Sequence, residues 1–139
     1  MRRVTLACTL LLSLSAAGCG GDIQSLLVTT PDPVFVTESF TGTLTLNGAT
    51  SHPFSITSAA GGDVTAVLRT VTPDDTAVVG FSLGTWNGTG CQAVISNDRA
   101  TVLASLLGRA TSTGTLCVRL FDIGALVDPQ DYSIEVTHP

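Results

Sequence analysis

Gly80-Phe81-Ser82-Leu83-Gly84 spells G-x-S-x-G, and Asp122 and His138 follow it in the hydrolase order of serine, acid and histidine. That motif does chemistry where a strand turns sharply into a helix, because the turn lifts the serine oxygen clear of the sheet. Here the segment runs on into Thr85-Trp86-Asn87-Gly88, with no helix signal, in a chain too short for an α/β-hydrolase sheet. Phe81 and Leu83 have the period of a buried strand face, which leaves Ser82 on the other face. His138 is the penultimate residue, where fraying is expected. The expectation is a core strand, no catalytic residue and no enzyme; a small serine hydrolase is the remote alternative.

Four cysteines divide by position. Arg2 and Arg3, the uncharged stretch Val4 to Leu14 and the small residues Ser15-Ala16-Ala17-Gly18 have the layout of a cleavable export signal, too short to span a membrane. Ala16-Ala17-Gly18-Cys19 resembles the bacterial lipobox, although Ala16 stands where leucine is commoner. The resemblance implies that Cys19 is acylated and becomes the mature N-terminus. Several acyl chains would hold the protein at a bilayer, since each buried methylene contributes about 0.8 kcal/mol. Gly20, not aspartate, follows the cysteine, so an outer-membrane destination is expected in a Gram-negative cell.

Cys8 leaves with the signal, and Cys91 and Cys117 remain as a pair. In an oxidising compartment a disulfide is expected, contributing about 3–4 kcal/mol for a loop of this length. A metal site is the sharper alternative, but no CxxC spacing is present and His52 and His138 have no ligand pattern around them. One tension stands: strand parity puts Cys117 on the face opposite Leu116, Val118 and Leu120, unless a bulge resets the register.

Oxygen ligands for calcium are on offer at Asp98, Asp122, Asp128 and Asp131, and a second acidic pair is Asp74-Asp75. None forms an EF-hand-type loop, and turns demand Asp and Asn in any case, so structural turns are the expected role and calcium the alternative. No other cofactor is expected. Trp86, the sole tryptophan, precedes Asn87-Gly88-Thr89-Gly90. Trp86 and Asn87 are candidate ligand-binding residues, because an exposed tryptophan beside polar loop residues can stack on a sugar or grip a peptide. The plainer reading is a tryptophan that anchors the loop or covers the Cys91 disulfide. His52, just before Pro53, is expected at the surface.

Charge narrows the partners. The formal net charge is −5 and the chain contains no lysine, with Arg69, Arg99, Arg109 and Arg119 scattered singly. Nothing here could neutralise a run of phosphates, which excludes nucleic acid, and no basic patch supports attraction to anionic lipid.

These residues must be positioned by strands. Residues 1–18 read as the signal peptide, 19–37 as lipidated N-terminus and tether, and 38–139 as one domain. In the domain the period is two. Phe40, Leu44 and Leu46 alternate with threonines up to the Asn47-Gly48 turn, then Phe54 and Ile56 alternate with Ser55 and Thr57. Val64, Ala66 and Leu68 share a face, as do Val79, Phe81 and Leu83; Leu116, Val118 and Leu120; and Tyr132, Ile134 and Val136. With Gln92–Ser96 and a short run near Leu106–Ala110, about eight strands are expected in an antiparallel β-sandwich. Leu103, Leu106 and Leu107 have helical spacing, but the run is short and bounded by Gly108, so strand plus loop is the expectation.

Gly42-Thr43-Leu44, Phe54-Ser55-Ile56, Gly61-Gly62-Asp63-Val64, Ser96-Asn97-Asp98, Gly114-Thr115-Leu116-Cys117-Val118-Arg119-Leu120 and Tyr132-Ser133-Ile134-Glu135-Val136 together resemble the bacterial pre-peptidase C-terminal domain. The resemblance spans nearly all of Glu38 to Pro139 and implies a jelly-roll-like β-sandwich. Members of that family ride on secreted proteases; this chain carries none, and Ser51-His52-Pro53 stands where the family often has acidic residues. The resemblance therefore implies the fold and not the task. The expected function is that of a lipid-anchored, non-enzymatic protein of the bacterial cell envelope that binds a glycan or a protein. A structural envelope component without a ligand pocket is the alternative, and exposure of Trp86 discriminates between the two.

Overall fold

A computed structural model describes residues Asp32–Pro139; the signal segment, Cys19 and the tether as far as Pro31 lie outside the described residues. Eight strands follow in order: β1 (Val36–Leu44), β2 (Ala49–Ile56), β3 (Gly62–Thr72), β4 (Val79–Trp86), β5 (Cys91–Ala100), β6 (Ser105–Ala110), β7 (Gly114–Phe121) and β8 (Gln130–His138). All eight expected strands are present, and Ala100–Leu107 is strand, turn and strand with no helix. Two boundaries move. β1 starts at Val36, inside the stretch read as tether, and β5 runs through Asn97 and Asp98 to Ala100.

The strands form two four-stranded antiparallel sheets, β1-β8-β3-β6 (sheet A) and β2-β7-β4-β5 (sheet B). Every connection except the β4–β5 hairpin crosses from one sheet to the other. This is the strand order of a jelly roll, two sheets stacked face to face. Alternation explains the core: Leu44, Phe54, Ile56, Val64, Ala66, Leu68, Phe81, Val118, Leu120, Ile134 and Val136 are all buried in one cluster. Leu46 departs from its expected place; it lies beyond β1 in the crossing turn and is 43% exposed. That turn closes with Gly48 N–H donating to the Thr45 carbonyl (2.9 Å) and with Asn47 at φ 54°, which asparagine tolerates.

The outer face of sheet B resolves the cysteine tension. Cys117 does face away from the core strip of β7, as parity required, yet it is fully buried and disulfide-bonded to Cys91. Its cross-strand neighbours are Pro53 and Gly84, and β5 lies one strand further on. The two cysteine Cα atoms are nonetheless 5.7 Å apart, because the start of β5 curls over β4. Gly84 makes the crossing possible: a Cβ there would lie 1.9 Å from the Gln92 carbonyl oxygen. An irregularity between Leu83 and Gly84, where Val94 is the extra residue of β5, marks where the strand departs.

Gly80 is covered in the same way by the Phe121 ring, over which the Arg119 guanidinium sits at 5.0 Å. The G-x-S-x-G segment is thus a run of small residues on the outer face of a continuous strand, over which neighbours lie close. Removing the disulfide (C91S/C117S) should cost about 3–4 kcal/mol in urea denaturation. Gly84→Ala should cost about 2 kcal/mol or more with the disulfide intact, and markedly less without it, since β5 can then lift away. Additive costs in that double-mutant cycle would show that the crossing does not depend on the disulfide.

Candidate functional site

The displaced start of β5 leaves a gap between the sheets on the β5–β6 flank. An open groove of about 200 Å³ lies there, lined by Leu83, Thr85, Val94, Ile95 and Leu116 from sheet B and by Val64, Gly108 and Arg109 from sheet A. Thr85, Arg109 and Leu116 also line an adjoining cleft of about 290 Å³ beneath the β6–β7 turn. Gly108 helps keep the groove open, since a Cβ there would come within 2.8 Å of the Leu83 side chain.

Val94, which lines it, is 74% exposed. Leu103 in the β5–β6 turn (67%) and Leu107 on the outward face of β6 (68%) are exposed as well, without lining the groove. Leu103 also has φ 70°, a conformation that a bulky residue adopts only when held. Its N–H donates to the Leu68 carbonyl (2.7 Å), and the Leu68 N–H donates to the Ala104 carbonyl (3.0 Å). Arg109 pairs with Asp63 at 3.0 Å with both side chains well exposed, so the pair contributes little to stability and is free to be re-used.

The opposite flank, between β1 and β2, is closed. His52 stacks on Phe40 (centroids 5.0 Å apart, 19°), and its Nε2 is 2.7 Å from the Tyr132 hydroxyl, which donates to Thr50 Oγ1 at 2.7 Å. Tyr132 passes over Gly42, where a Cβ would lie 2.7 Å from its hydroxyl oxygen. Farther along, His138 packs on Phe54 (4.9 Å), and its Nε2 is 2.9 Å from Glu38 Oε1.

Two expectations are corrected here. His52 is half-buried in this seam, because it shares the core parity of Phe54 and Ile56. His138 is buried and does not fray, because it is the last core-facing position of β8, and the Pro139 carbonyl accepts a hydrogen bond from Thr57 N–H (3.4 Å). Burial holds the His52 imidazole below its ordinary value and raises the Tyr132 phenol above its own.

The hydrolase residues do not meet. Ser82 is fully buried on β4 and its Oγ has no partner among the described residues; His138 faces Glu38; Asp122 is spent elsewhere. Asp122 Oδ1 accepts from the N–H groups of Gly124 (2.8 Å), Ala125 (3.0 Å) and Leu126 (3.2 Å), and Oδ2 accepts from Asn47 N–H (2.8 Å). These bonds lower its pKa, that from Asn47 foremost, and tie the β7–β8 loop to the β1–β2 turn.

The calcium candidates are likewise not gathered: Asp98 accepts from Ser96 Oγ (2.6 Å), Asp131 from Thr43 Oγ1 (2.5 Å), and the Asp128 carbonyl from Gln130 Nε2 (3.1 Å). Among the described residues no three His, Cys, Asp or Glu side chains cluster as metal ligands. Trp86 is half-buried at the end of β4, opposite Cys91. Asn87 is exposed, and its Oδ1 accepts from Thr89 N–H (3.0 Å), Thr89 Oγ1 (3.0 Å) and Gly90 N–H (2.8 Å), which fixes the hairpin tip. Neither residue lines the groove, although Thr85 beside them does.

Two solved structures share this architecture. A mitogen derived from Yersinia pseudotuberculosis is similar with a TM-score of 0.55 at 17% identity, over 75% of this chain and 86% of that one. PliG of Aeromonas hydrophila, a periplasmic inhibitor of g-type lysozyme, is similar with a TM-score of 0.52 at 13% identity, over 74% and 86%. At these identities the likeness is one of fold. No protein-family model matches the chain, and no curated protein matches it.

Asp122→Asn should lower stability by about 0.5–1 kcal/mol at pH 7, allowing for screening at a partly exposed turn. A carboxyl with a lowered pKa contributes fully above its ordinary value of 3.8, and that contribution is lost as pH falls through the lowered one. The gap between wild type and variant should therefore narrow below that range in urea titrations. A serine-reactive fluorophosphonate should leave the folded protein unlabelled; labelling abolished by Ser82→Ala would restore the hydrolase reading.

Proposed function

We propose that this chain is a lipid-anchored, non-enzymatic protein of the cell envelope whose β5–β6 flank binds a protein partner. The observation that carries the reading is that flank, where an open groove lined by Leu83, Ile95, Leu116, Val64 and the largely exposed Val94 lies beside an edge strand and turn that leave Leu107 and Leu103 exposed as well. Exposed apolar side chains grouped about a groove are how partner surfaces differ from ordinary surface. The likeness to PliG supports it by analogy, since that sandwich inhibits another protein, a lysozyme. Anchoring rests on the lipobox-like residues ending in Cys19, and kinship with the pre-peptidase C-terminal domain on the strand motifs and the jelly-roll order. No cofactor enters the proposal.

A second reading, a glycan ligand, is favoured by the outer face of sheet A. A groove of about 390 Å³ there is lined by Thr41, Thr43, Thr70, Thr72, Ser133 and Asp131, which offer hydroxyls and one carboxylate, and floored by Gly42 and Tyr132. No aromatic ring offers itself for stacking, because the Tyr132 hydroxyl is bonded to Thr50 on the other side of the sheet. The protein reading is therefore preferred.

A photo-reactive residue placed at Val94 or Leu107 of the full chain, in its own cells, should give adducts with a defined protein. Val94→Asp with Leu107→Asp should weaken capture about tenfold or more. Adducts only from a probe at Thr41, and to carbohydrate, would select the glycan reading. None from either face would leave a structural envelope component. Cys19→Ser should release the protein from the membrane fraction; retention would overturn the lipid anchor.

A further inference from the structure

The chain has two histidines, and both lie in the same seam, each bridging the two sheets. His52 reaches from β2 of sheet B to Phe40 and Tyr132 of sheet A, and His138 reaches from β8 of sheet A to Phe54 of sheet B. Imidazole is the side chain whose charge ordinarily changes between pH 5 and 8. We propose that the β1–β2 seam is an acid-operated latch: a proton taken up by His52 parts β1 from β2 and uncovers the apolar interior behind them, while the β5–β6 flank stays in place.

The geometry around the ring argues for this. On β1, Phe40 presents only its aromatic face, and Glu38 two residues earlier is directed to His138 Nε2. On β8, Tyr132 presents a neutral phenol, and on β2 the remaining member of the network is the Thr50 hydroxyl. On β7, the cross-strand neighbour is the buried Val118. Among the described residues no carboxylate pairs with His52, so a charge placed there is half-buried without a counter-ion.

β1 and β2 are edge strands of different sheets, so no backbone ladder joins them; between their connecting turn at one end and the Thr57–Pro139 backbone bond at the other, side-chain contacts close the seam. β1 is laddered only to β8 and β2 only to β7, whereas β4 and β7 are laddered on both sides and the edge strand β5 is tied to β4 by a ladder and to β7 by the disulfide. Burial lowers the His52 pKa, so its neutral form contributes stability in full above the ordinary value of 6.5, and that contribution is lost as pH falls through the lowered one.

Hydrogen exchange of the full chain, corrected for intrinsic rates, tests the latch at pH 7.5 and pH 5.5. Residues 36–44 and 49–56 should lose protection several-fold at the lower pH, and β4 and β5 should not; in β7 only the amides bonded to β2 should follow, and those bonded to β4 should not. His52→Gln keeps an N–H donor for Tyr132 but takes up no proton in this range, so its protection should not respond to pH. Unchanged protection in the wild type, or an equal loss in H52Q, would overturn the proposal, the latter by assigning the response to Glu38–His138 or to carboxylates. Should H52Q not fold, carbon-13 titration of the wild-type histidines serves instead: the loss of protection must share its midpoint with the His52 ring, and separate midpoints would refute it.

Discussion

The crossing of β5 over Gly84 is the constraint from which the shape of this sandwich follows. A jelly roll has two flanks where the edges of its sheets face each other, and a regular β5 would sit opposite β6 across one of them. The Cys91–Cys117 bond draws the first half of β5 to the outside instead, above a strand stripped of side chains at Gly80 and Gly84. The same displacement that buries Cys117 on an outer face leaves a groove on the inner one, lined by the partly buried Ile95 and Leu116 with Leu83 at its floor. A covalent bond on one side of the sheet thus sets the opening on the other.

The second flank is built on a different principle. No strand is displaced there, and the gap is filled by rings from three strands, Phe40, His52 and Tyr132, with polar atoms turned toward one another. Burying these polar groups is tolerable because they are mutually satisfied; a chain of hydroxyl and imidazole bonds excludes water only while every member has its partner. The domain therefore has one flank whose form is fixed covalently and one whose closure depends on protonation state. The two arginine–carboxylate pairs, Arg69–Glu135 and Arg109–Asp63, add little to either, since both partners of each are substantially exposed.

Much of this was legible in the residues. Alternation located all eight strands and most of the core, because a half-buried strand announces its inner face every second residue. The same rule, carried two residues back from Phe54 and two beyond Val136, would have placed His52 and His138 inside, so the signal was present and was overruled by a proline and by a chain end. Parity was right about Cys117, and what misled was equating an outer face with exposure. Strand order was not legible, since pairing between Glu38 and Val136 or between Pro53 and Cys117 is decided by packing across long separations. The groove was not legible either: it arises from a missing side chain at Gly108 and a backbone moved off its regular path, and neither leaves a pattern in residue types.

The placement of β8 bears on how the molecule comes into being. It is the last strand of the chain yet an inner strand of sheet A, flanked by β1 and β3. Val36 meets His138, so the first and last strand residues are neighbours and no ladder joins β1 to the rest of the sheet without β8. A chain delivered N-terminus first, from a ribosome or through an export channel, cannot complete sheet A until β8 emerges. Such long-range closure is intrinsically slow. Until then β1 is an unpaired edge, exposed to whatever holds or guards nascent chains, whereas the β4–β5 hairpin and its disulfide can form ahead of the rest.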